Sequence, residues 1–180
     1  MKQIAVLLTA VFLAAFAAFA MSAVEPEVAA ADTSIRSCTG SKITLKTIEK
    51  TMLSLHNRKR ASRGLPRLCV HPKLQKAARA HSMDMIRRDY FSHNTKGRNE
   101  GPCQRLRRYG YHWRLCGENI AWGSGSKGSP NSRFKAWMNS PGHRANILKR
   151  GFREVGIGAA RGTFQRHSNV TMWTVDFGDR

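Results

Sequence analysis

The chain has 180 residues, and its 31 Lys and Arg against 11 Asp and Glu give a formal net charge of +20. Hydrophobic residues make up 41% and charged residues 23%, which excludes a disordered polyelectrolyte and predicts one domain with a sizeable core. Charge this positive attracts nucleic acid, anionic lipid and acidic wall polymer alike, so it describes a surface and selects no chemistry.

Lys2 followed by the alanine-rich apolar run from Ile4 to Phe19 reads as a secretory signal peptide, with cleavage after Ala20 or as far along as Ala31. The competing reading is an uncleaved anchor helix, for which a single Lys and a run at the short end of spanning length are poor support. Residues 21–41 are small and polar and read as a flexible lead-in, leaving 42–180 as the folded domain. Export gives the even number of cysteines a meaning, because thiols outside the cytosol pair. Cys103 and Cys116 bracket a short arginine-rich segment and form the natural local pair, which leaves Cys38 to staple to Cys69. Four cysteines allow three connectivities, and with no C-x-x-C spacing a structural metal built from all four is disfavoured.

From Thr44 the apolar positions Leu45, Ile48, Met52 and Leu55 recur at helical spacing until Gly64. Residues 65–68 form an extended connector. A second helix opens at Pro72, where a missing N–H costs nothing, with Leu74, Ala77, Ala78, His81 and Met85 as its inward stripe. Cys103 to Tyr109 predicts a short helix ended by Gly110, and the glycine- and serine-rich stretch 123–132 predicts a loop. Phe134 to Met138 is helical, and another helix begins at Ser140-Pro141. The β-branched and aromatic runs Val155–Ala160 and Val170–Phe177 predict two antiparallel strands, with His167-Ser168-Asn169 in or near their turn. Helices early and strands late place the domain in the α+β class.

Three short segments carry the residue types that chemistry needs: Tyr90-Phe91-Ser92-His93, Gly117-Glu118-Asn119-Ile120-Ala121 and Ser140-Pro141-Gly142-His143-Arg144. Each reads as a loop or a helix start. Together His93, Glu118 and His143 are the ingredients of a Zn²⁺ or similar divalent site with open positions. His143 falls in the first turn of a helix capped by Ser140, where the dipole disfavours imidazolium and favours a neutral ring. Glu118 stands out by arithmetic: between Cys103 and Val175 there are 13 Lys and Arg but only Glu118 and Glu154 as acids. A carboxylate in so basic a stretch is expected to have a partner, either loop amides or an arginine. His81 lies on an apolar stripe and reads as a core or boundary histidine. His56, with Asn57 and Arg60, is placed to bond neighbouring loops and the chain's end, while His71, His112 and His167 read as surface or turn residues. Neither a nucleophile elbow nor a phosphate-binding glycine loop is present.

In this order the segments resemble the CAP superfamily of cysteine-rich secretory proteins, insect antigen 5 and plant pathogenesis-related proteins, and more narrowly its secreted bacterial SCP-like members. The resemblance runs from about Thr51 to Phe177. It is carried by His56-Asn57-x-x-Arg60, Tyr90-Phe91-Ser92-His93, Gly117-Glu118-Asn119-Ile120-Ala121, the run from Trp137 through Asn146-Ile147-Leu148, and Trp173-x-x-Asp176-Phe177-Gly178. It implies a three-layer α-β-α sandwich with a central cleft. Animal members present two His and two Glu there, in some cases around a divalent metal; by motif, His93 and His143 match the histidines and Glu118 the first glutamate. The position of the second glutamate is Ser140 here, and Glu154 lies elsewhere in the pattern. Asn119, Ser140 and Arg144 become the expected cleft supports. Members are associated with sterol or lipid binding, defence and signalling, and fold alone delivers no reaction.

The expectation is therefore a secreted, monomeric binding module whose cleft holds a divalent metal or a small or lipidic ligand. One alternative is a metal-dependent hydrolase using the same cleft. Another is a cationic protein that grips anionic cell-envelope polymer or lipid, since residues 56–115 hold 16 Lys and Arg against three acids. A specific nucleic-acid partner is not expected.

Overall fold

The structure, a computed structural model, describes residues 32–180, so the signal peptide and its cleavage sites lie outside the described residues. In chain order the elements are β1 (Thr33–Arg36), β2 (Lys42–Leu45), α1 (Thr47–Ala61), β3 (Cys69–Val70), α2 (Pro72–Arg87), α3 (Pro102–Arg108), β4 (Leu115–Ser124), α4 (Pro130–Asn139), α5 (Pro141–Leu148), β5 (Glu154–Phe164) and β6 (His167–Asp179). The four-stranded sheet runs β3-β5-β6-β4, with β4 at one edge. β5 and β6 form the expected antiparallel hairpin, turned at Gln165 and Arg166, whose φ of 45° and 66° match the twist of tight hairpin turns.

Helices cover both faces of this sheet, which makes the three-layer sandwich of the α+β class. On one face Met52 of α1, Trp137 of α4 and Ile147 of α5 pack with Ile157, Trp173, Val175 and Phe177. On the other lie α2 and α3, with Met85 against Ile120 and Met172, and Leu74 and Ala77 against Leu106 and Tyr111. The predicted α2 stripe is buried in full. α2 seats directly on β5 because Gly156 and Gly158 have no side chain: a Cβ at either would run into the backbone of Leu74 or Ala78.

Since β3 is only two residues long, most of the outer edge of β5 has no neighbouring strand, and side chains take its place. The Gln75 amide bonds both the N–H and the carbonyl of Ile157, at 2.9 and 2.6 Å. The Ala159 N–H donates to Glu49 and its carbonyl accepts from Lys46. The edge is thereby closed to other chains. Arg60, fully buried, donates to the carbonyls of Pro66, Ile147, Lys149 and Phe152, and Asn57 bonds Leu68, so this motif does join neighbouring loops. His56 turns inward, donating from Nδ1 to the Met52 carbonyl beside Phe134, Trp137 and Phe177; burial pushes its pKa down to about 4.

Four local expectations are corrected. The described end of the lead-in, with Lys42 to Leu45, forms the β1–β2 hairpin, so α1 begins at Thr47 and Leu45 belongs to a strand. The segment around Glu118 is a strand, β4, and no loop or helix start. The stretch 123–132 is divided among the end of β4, a 3-10 turn and the first turn of α4. His71 is buried and caps α2 by accepting from the Lys73 N–H, a first-turn donor with no acceptor within the helix. Both expected disulfides, Cys38–Cys69 and Cys103–Cys116, are formed.

Candidate functional site

The site is built on the edge strand β4. Its Gly117 lies against Phe152, where a Cβ would come within 2.8 Å of the ring, so α5 and the loop after it settle close to the strand. Glu118 points to the α2 face and Asn119 to the α5 face, as pleating requires. From the first side the loop after α2 brings Tyr90 to Asn94, and from the second the start of α5 brings His143.

Glu118 is buried and has two partners. His93 Nδ1 donates to Oε1 at 2.7 Å, and the Arg105 guanidinium, itself 1% exposed, pairs with Oε2. Arg105 also donates to the His93 carbonyl at 3.0 Å and to Thr95 Oγ1. His81 bonds the Ser92 carbonyl through Nε2, and burial, followed by the charge of Arg105, pushes its pKa down to about 4. The His93 loop is thus held from below by His81 and Arg105. The partner expected for Glu118 is an arginine from α3.

His143 is fixed from the other side. Asn119 Nδ2 donates to its carbonyl at 3.0 Å, Asn146 Nδ2 donates to the Glu118 carbonyl and to Asn119 Oδ1, and the His143 ring meets Ser140 Oγ at 2.8 Å through Nδ1. Its pKa is lowered, first by burial and then by the neighbouring His93. The neutral ring expected from the helix dipole is therefore the favoured form, with burial as the main cause. Ser140 occupies the cap position, but its hydroxyl serves the imidazole instead of the helix N–H groups.

Between the two histidines opens a cleft of about 500 Å³ lined by Phe91, Ser92, His93, Asn94, Ile120 and His143. Each imidazole is anchored at Nδ1 by a protein group, leaving Nε2 as the nitrogen available to a ligand. Phe91, 42% exposed, stands at this opening. Of the expected residues, His93 and His143 share the cleft, Glu118 lies behind His93, and Asn119 and Ser140 support it. Arg144 does not join them: it is exposed and reaches toward the Met138 carbonyl.

The expected divalent ion can be tested against these donors. Both Glu118 oxygens are committed, one to an imidazole N–H and one to a guanidinium. Among the described residues no three His, Cys, Asp or Glu side chains converge to hold an ion. The donor set does not fit a metal ligated directly by His93, Glu118 and His143; the carboxylate orients His93 instead.

Three residues complete the site beyond those singled out from sequence: Arg105, Asn146 and Asp176. Asp176 faces Glu118 across the β4–β6 register, is fully buried, and finds no N–H or hydroxyl donor among the described residues, so Glu118 is its side-chain hydrogen-bond partner. Burial first, and the Glu118 charge second, push its carboxyl well above the usual range. Asn146 and Asp176 stood in the quoted motifs, so a signal for them existed; Arg105 was one arginine among several.

The family model for cysteine-rich secretory proteins (CAP) matches residues 53–177. The uncharacterised protein YkwD of Bacillus subtilis is 37% identical over 129 residues, covering 72% of this chain and 46% of that protein. A second Bacillus subtilis relative, the uncharacterised membrane protein YlbC, is 32% identical over 115 residues, or 64% of this chain and 32% of its own. The chain thus spans less than half the length of these curated relatives. Among solved structures, an outer surface protein of Borrelia burgdorferi superposes with a TM-score of 0.63 at 26% identity, covering 78% of this chain and 98% of that one. An extracellular SCP-domain protein of Bacillus anthracis gives 0.61 at 28% identity, over 73% of this chain and 40% of its own.

Proposed function

The chain belongs to the cysteine-rich secretory protein (CAP) family, and on that premise we propose that it is an extracellular binding module whose cleft takes a small, hydroxyl-bearing and partly apolar ligand. The arrangement that carries this reading is the pair of imidazoles. His93 and His143 are each anchored at Nδ1, by Glu118 and Ser140, and present Nε2 from opposite walls of one cleft. His93 Nε2 accepts a hydrogen bond from a polar head and His143 Nε2 accepts or donates one, since the Ser140 hydroxyl suits either tautomer, while Ile120 and Phe91 supply apolar surface for the rest of the ligand.

An extracellular setting is supported by the paired cysteines, the apolar N-terminal run and the likeness to an extracellular protein of Bacillus anthracis and an outer surface protein of Borrelia burgdorferi. Native mass spectrometry of protein collected from the medium of an expressing cell tests the reading. The expected spectrum contains a species heavier than the disulfide-bonded polypeptide, and His93→Ala combined with His143→Ala removes it. A retained mass that survives the double substitution, or a wild type that carries none and binds nothing from a lipid and glycan extract, overturns the reading.

A further inference from the structure

Behind the cleft, on the far side of Arg105, lies a second cavity of about 230 Å³ between α2, the loop after it and α3. Its wall includes His81, Asp84, Thr95, Arg98, Arg105 and Arg108. That volume exceeds a single water's share of about 30 Å³ several-fold, so it accommodates a compact polar group. Its charges are unequal. Arg108 is paired with Glu100, at 2.6 and 3.0 Å, and Arg105 with Glu118. Asp84, the one acid in the wall, accepts from the Tyr90 hydroxyl at 2.5 Å and sits 3.5 Å from Arg88, which also lines the cavity. Setting each carboxylate against its arginine leaves Arg98 over, exposed and with no acceptor for its guanidinium among the described residues.

A second observation points the same way. Arg105, 1% exposed, retains an Nε–H donor with no hydrogen-bond partner among the described residues. Buried polar groups are almost always satisfied, so an unmet N–H donor in the wall of a polar cavity marks a place where an acceptor can be taken up.

We propose that this cavity is a second binding site, for the oxyanion group of an anionic molecule: a phosphate monoester or a sugar carboxylate, gripped by Arg98 with Arg108 and Arg105. Planar guanidiniums bind both groups through paired N–H donors, which is why the two share one site. The site is independent of the cleft reading, yet Arg105 joins them, since the same guanidinium holds Glu118 and the His93 carbonyl.

An NMR titration of the ¹⁵N-labelled, disulfide-bonded protein tests this, with inorganic phosphate in one arm and glucuronate in the other, at constant ionic strength. Saturable shifts at the amides of Thr95, Arg98, Arg105 and Tyr109 are expected in at least one arm, and the tighter arm identifies the source. Arg98→Ala leaves the fold intact, because the side chain makes no internal bond, and weakens binding about tenfold, the loss of one charge-assisted hydrogen bond. Arg161→Ala, an exposed change outside the cavity, leaves the affinity unchanged. Shifts that stay linear and scatter over the basic surface in both arms, or equal affinity in Arg98→Ala, overturn the proposal.

Discussion

Glu118 and Asp176 stand directly opposite each other on β4 and β6, both buried, and of the two only Glu118 pairs with basic side chains. Two carboxylates this close in a dry interior cannot both be charged without cost, so the environment divides their roles. Arg105 and His93 are the ion-pair and hydrogen-bond partners of Glu118. Asp176, fully buried and facing the Glu118 carboxylate, favours the protonated form, which can donate to Glu118.

Asp176→Asn tests this division, because an amide is the neutral isostere of the protonated acid. Its folded-state pKa is raised above the ordinary 3.8, so the stability it lends is fully present below about pH 4 and is lost as pH rises through its folded value. Against wild type, the variant is expected to differ by less than about 1 kcal/mol near pH 4 and to become relatively more stable as pH increases. Thermal melts from pH 4 to 9 read the difference directly. Referencing the variant to wild type cancels the opposite contribution of His56 and His81, whose lowered pKa values weaken the fold as pH falls from 6.5 to about 4. A difference that does not change with pH refutes the assignment.

Glu118→Gln acts on the other half of the pair. It leaves the buried Arg105 guanidinium without its anion, which costs about 3–5 kcal/mol where a buried pair is broken from one side. At roughly 2–4 °C per kcal/mol for a chain of this size, the melting temperature falls by about 6–20 °C. The His93 ring, no longer tethered at Nδ1, is expected to show averaged rotamers by NMR. A melt within the error of wild type would mean that Arg105 finds another acceptor.

What sequence could and could not reveal follows from which contacts are local. The α2 stripe, the Ser140-Pro141 start of α5 and the β5–β6 hairpin were legible because each is specified within a few residues. β4 was not, since Gly117-Glu118-Asn119 is poor strand sequence and the strand exists through its long pairing with β6. The histidines of the cleft were visible as motifs, whereas Arg105 was hidden among Arg107 and Arg108 on one short helix. Only the packing of α3 decides that Arg105 turns inward and the other two stay in solvent. Asp176 was readable as a residue of the closing motif; its protonation depends on a cross-strand register that no local pattern encodes.

Gly158→Ala probes how tightly α2 seats on the sheet. The added Cβ meets the backbone of Ala78, which cannot turn aside as a flexible side chain would, so helix and strand must separate. We expect a loss of at least about 3 kcal/mol, at the upper end of overpacking costs. Increased hydrogen exchange at α2 amides would report the separation. Unchanged exchange and stability would show that the layers have slack.

The Cys38–Cys69 bridge closes a separation of 31 residues and ties the β1–β2 hairpin to β3. Removing it as Cys38→Ser with Cys69→Ser releases loop entropy in the unfolded chain, a loss of about 3–4 kcal/mol. The effect should be local as well as global: β1 and β2 amides are expected to exchange first, because the backbone bond from Cys38 to Val70 is the main remaining link at that point. Equal exchange in β1–β2 and in the four-stranded sheet would contradict the local part of this role.

The cleft itself is tested by cation titration. Because Glu118 is held by Arg105 and His93, Zn²⁺ would meet only two imidazole nitrogens, and two protein ligands fall short of the three that open zinc sites use. Calorimetry is expected to show weak, unsaturated heats at micromolar Zn²⁺, alike for wild type and for His93→Ala with His143→Ala. Loosening the lock changes the expectation: Arg105→Gln frees a Glu118 oxygen, and any variant that remains folded should bind Zn²⁺ more tightly than wild type. Saturable wild-type binding that the double substitution removes would instead place a cation between the two histidines, with Glu118 orienting one of them from behind.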